Sequence, residues 1–92
     1  MSQYEVVLHS RAQAALELLP QADRALVLRV TRLLSSLGPS ELHPMIKVLA
    51  SSESLYYLRA GSSLRIIFRQ DGSKLEVLDV VRPGRLRKMF SS

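Results

Sequence analysis

The feature that most narrows the fold lies between residues 55 and 81. Three short segments of strand character, 55–60, 64–70 and 75–81, are separated by Gly61-Ser62-Ser63 and by Asp71-Gly72-Ser73. Joints this tight connect antiparallel neighbours, because a parallel pair needs a crossover of a dozen or more residues. Alternation then assigns the faces. In 64–70, Ile66 and Phe68 share one face, while Arg65, Ile67 and Arg69 share the other. In 55–60, Tyr57 and Arg59 share a face, with Tyr56 on the opposite side, and the turn at Gly61 brings Arg59 beside Arg65.

The first half reads differently. Residues 4–9 alternate as a strand, with Tyr4, Val6 and Leu8 against Glu5, Val7 and His9. Ser10 and Gln13 have the spacing of a reciprocal helix cap. Ala12, Ala15, Leu16 and Leu19 then predict a helix over 11–19, ended by Pro20. A second helix begins at Gln21 with the stripe Ala22, Leu26, Val30, Leu33 and Leu37, and Gly38-Pro39 stops it. Leu28 and Leu34 make this helix apolar beyond one core face, so part of it is expected to cover another chain. A proline-bracketed loop over 39–44 leads to a fourth strand candidate at 45–49, and 82–92 holds a Pro-Gly turn and a short terminal helix. The order implies one α+β domain over 1–92: an N-terminal strand, then a two-helix hairpin on one face of a three- to four-stranded, mainly antiparallel sheet.

Several function classes drop out. The chain has no cysteine, hence no disulfide, thiolate nucleophile or Cys-based zinc site. Its two histidines, His9 and His43, lie far apart, so neither a metal nor a cofactor is expected. No apolar run approaches the ~20 residues that span a bilayer, and no secretory leader is visible, so a cytoplasmic protein without membrane contact is expected. The charge is informative. Thirteen Lys and Arg against eight Asp and Glu give +5, and pI is near 10.2. Most of that excess lies after residue 50 and is carried largely by arginine, which suits nucleic acid or an acidic protein partner.

Arg59, Arg65 and Arg85 are expected to rim a concave sheet face suited to phosphate. Exposed arginines on such a face also serve plain solubility. His43, flanked by proline, reads as a surface residue and His9 as structural. Phe90 reads as an anchor for the tail or a stacking platform for a base.

The segment from Leu55 to Arg85, with Lys47 and Leu49 upstream, resembles the RelE/ParE superfamily of type II toxins. The elements carrying the likeness are Tyr56-Tyr57-Leu58-Arg59, Gly61, Leu64-Arg65 and the valine-rich 77–85, preceded by the strand–helix–helix opening. The resemblance implies a toxin held inactive by an acidic antitoxin in a hetero-oligomeric complex. RelE-like members cut mRNA on the ribosome without a metal, and ParE-like members poison DNA gyrase. By position, Arg65 would clamp the scissile phosphate, Arg59 and Arg85 would add charge stabilisation, and Tyr57 would be the candidate for proton transfer. Lys47, Arg82, Arg87, Lys88 and Phe90 would bind RNA. The chain departs from the nuclease pattern in having no histidine after residue 43 and Phe90 where a hydroxyl-bearing ring is usual. Arginine is a poor base. Three functions therefore stay open: ribosome-dependent mRNA endonuclease, gyrase inhibitor, and a degenerate toxin that only binds its antitoxin.

Overall fold

The computed structural model describes residues 4–90. The chain runs β1 (Glu5–Leu8), α1 (Ser10–Glu17), α2 (Gln21–Glu41), β2 (Ile46–Ala50), β3 (Leu55–Ala60), β4 (Leu64–Asp71), β5 (Lys74–Val81) and α3 (Pro83–Phe90), with single 3-10 turns at His43–Met45 and Ser51–Glu53. The five strands form one sheet in the order β1-β5-β4-β3-β2. β1 lies parallel to β5, and every other pair is antiparallel. The sheet thus has one strand more than 45–81 alone supplies, because the N-terminal strand joins it at the β5 edge.

The helices cover one face. Ala12 and Leu16 of α1 and Val27, Val30 and Leu34 of α2 pack on Leu58, Leu64, Ile66, Phe68, Leu75 and Val77. Phe68 is fully buried and stacks on Tyr56, with ring centroids 5.5 Å apart.

The inward stripe of α2 differs from the sequence expectation. Its buried residues are Val27, Val30, Thr31, Leu34 and Gly38, whereas Leu33 and Leu37 are 41% and 44% exposed. Both stripes have helical spacing, so periodicity alone does not choose between them. A clamp on β1 does. Ser35 Oγ donates to the Tyr4 carbonyl at 2.8 Å, and Tyr4 N–H donates to the Ser35 carbonyl at 3.2 Å. The Tyr4 ring lies where a Cβ on Gly38 would sit.

Helix ends also shift. The regular part of α2 breaks at Gly38, whose φ is +82°, and Pro39 starts a further helical turn in place of the expected loop; proline is favoured at such a first position. α1 starts one residue early, with His9 as its cap and no side-chain cap bond, so the Ser10–Gln13 pair does not form the expected box. It ends at Glu17 rather than residue 19 because Arg24 reaches back from α2. The Arg24 guanidinium donates to the carbonyls of Leu16, Glu17 and Leu19 at 3.2–3.3 Å. The Leu16 carbonyl also accepts the Leu19 N–H at 3.2 Å, so Arg24 adds a second donor there and supplies one to Glu17, the last residue of the helix. Arg24→Ala is expected to lower stability by about 1 kcal/mol, read as a fall in the thermal midpoint.

The second sheet face is not open. Ile67, Val81 and Leu86 form a small second core there, with Leu49, Leu55, Tyr57 and Leu78 packed around it. Leu86 comes from α3, so the terminal helix expected over 82–92 exists and covers part of the face read as bare. Leu86→Ala is expected to cost about 2–3 kcal/mol and to strip hydrogen-exchange protection from α3 before the sheet.

Candidate anion-binding site

Strand register builds the site. Arg59 of β3 and Arg65 of β4 are direct cross-strand partners, and Arg65 is partnered by Val81 on β5. One row further along, on the same face, Lys47, Tyr57, Ile67 and Asp79 stand opposite one another across β2, β3, β4 and β5. Arg59 and Arg65 therefore stand side by side on the sheet face turned from α1 and α2, as expected, with Lys47 diagonally across from Arg59. Arg59 and Lys47 are exposed, and Arg65 is half-buried. Arg65 Nη1 donates to the Leu64 carbonyl at 2.9 Å. That bond orients the guanidinium while leaving most of its five donors for a ligand.

Like charges placed directly opposite across a sheet destabilise it by roughly 0.2–1 kcal/mol. Elsewhere on the same face the cations share a carboxylate. Glu76 of β5 is approached by Lys74 at 3.7 Å, Arg69 at 3.8 Å and His9 at 4.0 Å. At the Arg59–Arg65 end, none of the ion pairs among the described residues involves Lys47, Arg59, Arg65 or Arg85. One end of the face has a carboxylate set among its cations, and the other has none paired with them.

The remaining sequence-derived candidates are dispersed. Tyr57 lies on the expected face, but its ring is half-buried in the second core. Arg82 leaves β5 toward α2 and pairs with Asp23 at 3.7 Å, so it turns from the Arg59–Arg65 pair. Arg85 is exposed on the first turn of α3 and borders a hollow that also touches Leu64 and Val81, the neighbours of Arg65 in sequence and register. Arg87 and Lys88 are exposed in the last turn of α3, where positive charge suits the helix dipole. Phe90 closes that helix, and its side chain lies outside the described residues. Neither histidine joins the cluster: His9 is at the Glu76 end, and His43 lines a groove with Pro39, Ile46 and Val48.

One group was missed in the sequence. Asp79 is 5% exposed; its Oδ1 accepts the Val80 N–H at 2.8 Å, and its Oδ2 has no partner among the described residues. A register shift between Ile67 and Phe68 leaves Leu78 as the extra residue of β5 and sets Asp79 against Ile67 on the second-core face. An acid inside the apolar run 75–81 was the only hint. Among the described residues, no three His, Cys, Asp or Glu side chains cluster closely enough to hold a metal ion, and no helix is long and apolar enough to cross a membrane.

No family model matches the sequence, and no curated protein does. Solved structures do match. A RelB–RelE antitoxin–toxin complex from Methanococcus jannaschii superposes with a TM-score of 0.70 at 17% identity, over 91% of this chain and 98% of that one. The E. coli DinJ–YafQ toxin–antitoxin complex gives 0.69 at 10% identity, over 91% and 97%. The archaeal RelE–RelB complex from Pyrococcus horikoshii gives 0.68 at 21% identity, over 90% and 98%. The chain has a RelE-like fold, and the structural likeness spans about nine tenths of it.

Proposed function

We propose that this chain is the toxin of a type II toxin–antitoxin pair and that it inhibits translation by cutting mRNA at the ribosome, without a metal. The observation that carries this reading is the directly opposed Arg59–Arg65 pair, unneutralised and beside Lys47. Attack of an RNA 2′-oxygen on its own phosphodiester closes a cyclic phosphate and breaks the bond to the 5′-oxygen, which leaves protonated. Negative charge builds on the intervening phosphorane, and fixed guanidinium groups stabilise it more than the ground state. Arg65 takes the scissile phosphate, with Arg59 and Arg85 sharing the developing charge and Tyr57 moving the proton. Lys47, Arg82, Arg87, Lys88 and Phe90 hold the RNA chain and the ribosome. The partner is an acidic antitoxin, a reading that the matched RelE–RelB complexes and the +5 net charge support. Protein and target meet in the cytoplasm.

A second reading is ParE-like inhibition of DNA gyrase without nuclease chemistry. It is favoured by one observation: the Tyr57 ring is packed into the second core, and both histidines stand away from the arginines. A degenerate toxin that only binds its antitoxin is the third. Expressing the chain alone and mapping RNA ends and chromosome breaks separates them. Codon-phased mRNA cuts are expected. Intact mRNA with gyrase-dependent double-strand breaks establishes the second reading, and unimpaired growth the third.

A further inference from the structure

Where β4 begins and β5 ends, the sheet meets the joint between α1 and α2 in a shallow hollow of about 340 Å³. Its apolar wall is formed by Leu18, Leu19, Leu64 and Val80, and Arg82 and Arg85 stand in the same lining. Leu18 follows the last residue of α1 and is 86% exposed, the most exposed of the described large hydrophobic residues. Nothing in the fold uses it. Arg82 is held by Asp23, which is itself 30% exposed, while Arg85 has no acidic partner among the described residues. A hydrocarbon wall set beside two guanidinium groups suits a ligand that carries a branched aliphatic side chain next to a carboxylate. It suits a nucleotide less, because the described lining offers no aromatic ring for a base to stack on.

We propose that this hollow is a docking site for an acidic peptide segment of a partner protein, with an aliphatic side chain seated against Leu18 and Leu19 and a carboxylate on Arg85. The proposal rests on the reading of the chain as a toxin with an acidic antidote, and it names where the antidote grips. It also explains inhibition: a guanidinium engaged by a carboxylate is not free for a phosphate, so occupation of the hollow withdraws Arg85 from the anion site. Asp23 acts as a competitor within the chain, because it already occupies Arg82.

The test titrates the full chain with a short synthetic peptide of leucine and glutamate, followed by fluorescence anisotropy. Peptides with serine for leucine, or glutamine for glutamate, serve as controls. Leu18→Ser is expected to weaken binding about tenfold, and Arg85→Ala by about the same factor. Asp23→Asn is expected to tighten it about threefold by freeing Arg82. Backbone amide shifts should move around Leu18, Leu64 and Val80. Unchanged affinity in Leu18→Ser, equal binding of the serine peptide, or shifts confined to the outer face of α2 around Leu33 and Leu37 would each overturn the proposal. RNA cleavage is measured in parallel and is expected to survive Leu18→Ser. Failure of the wild-type chain to cleave RNA counts against the nuclease reading alone, since peptide affinity is read without RNA.

Discussion

If the chain is the proposed nuclease, replacing Arg65 with alanine is expected to abolish growth arrest and to slow ribosome-dependent mRNA cleavage by about 10²–10³-fold, the scale of losing one preorganised charge donor. Stability should hold or rise slightly, because the change removes a like-charge cross-strand pair. Loss of toxicity therefore cannot be laid to unfolding, and a thermal melt beside the cleavage assay checks this. Arg65→Lys is the sharper control. It keeps the charge but lacks the planar fork that grips two phosphate oxygens at once, so recovery should be partial, within about tenfold of alanine. Arg59→Ala is expected to act in the same direction but more weakly, since Arg59 is exposed whereas Arg65 is half-buried and held by the Leu64 carbonyl. Full toxicity in Arg65→Ala would remove the anion site from the mechanism, whatever the target.

Much of this site was legible before the structure. Period-two alternation and a three-residue turn suffice to place Arg59 against Arg65, because register in a tight antiparallel pair leaves no freedom to slip. The likeness to the toxins rested on the same segment, and the fold comparison extends it across the chain. What the sequence hid has a common cause: non-local contacts that override local pattern. α2 carries an apolar arc wider than one core face, and the Tyr4–Ser35 clamp fixes the rotation that buries Val27, Val30 and Leu34. Consecutive Ile66 and Ile67, both buried, were the sign that two faces of β4 need cover. Reading one face as open concealed both the Leu86 core and the burial of Tyr57. The extra residue in β5 is invisible to an alternation rule, since Leu78 and Asp79 keep the pattern only if no residue is skipped.

The leucines left on the outer face of α2 bear on function as well. Leu33 and Leu37 are one helical turn apart, consistent with the expectation that this helix covers more than its own core. The exposed pair is not the one read as surplus, which was Leu28 and Leu34; Leu34 is fully buried. The surplus is real and its position was misjudged, for the reason that the core stripe was.

Gly38→Val is expected to be the most destabilising single change described, lowering stability by about 3 kcal/mol or more and leaving little folded chain at 37 °C. Two independent effects add. The residue sits at φ +82°, where a β-branched side chain is strained by about 1–3 kcal/mol. A Cβ there would also run into the Tyr4 ring, against which the glycine packs. Displacing that ring pulls at the Tyr4–Ser35 backbone clamp, which is what sets the rotation of α2 over the sheet. Gly38→Ala separates the two effects when combined with Tyr4→Ala. The double variant keeps the φ strain but clears the space, so it should be less destabilised than the sum of the single changes, and a double-mutant cycle on chemical unfolding measures the difference. A cycle that closes additively would mean that the Tyr4 ring does not limit the space at Gly38.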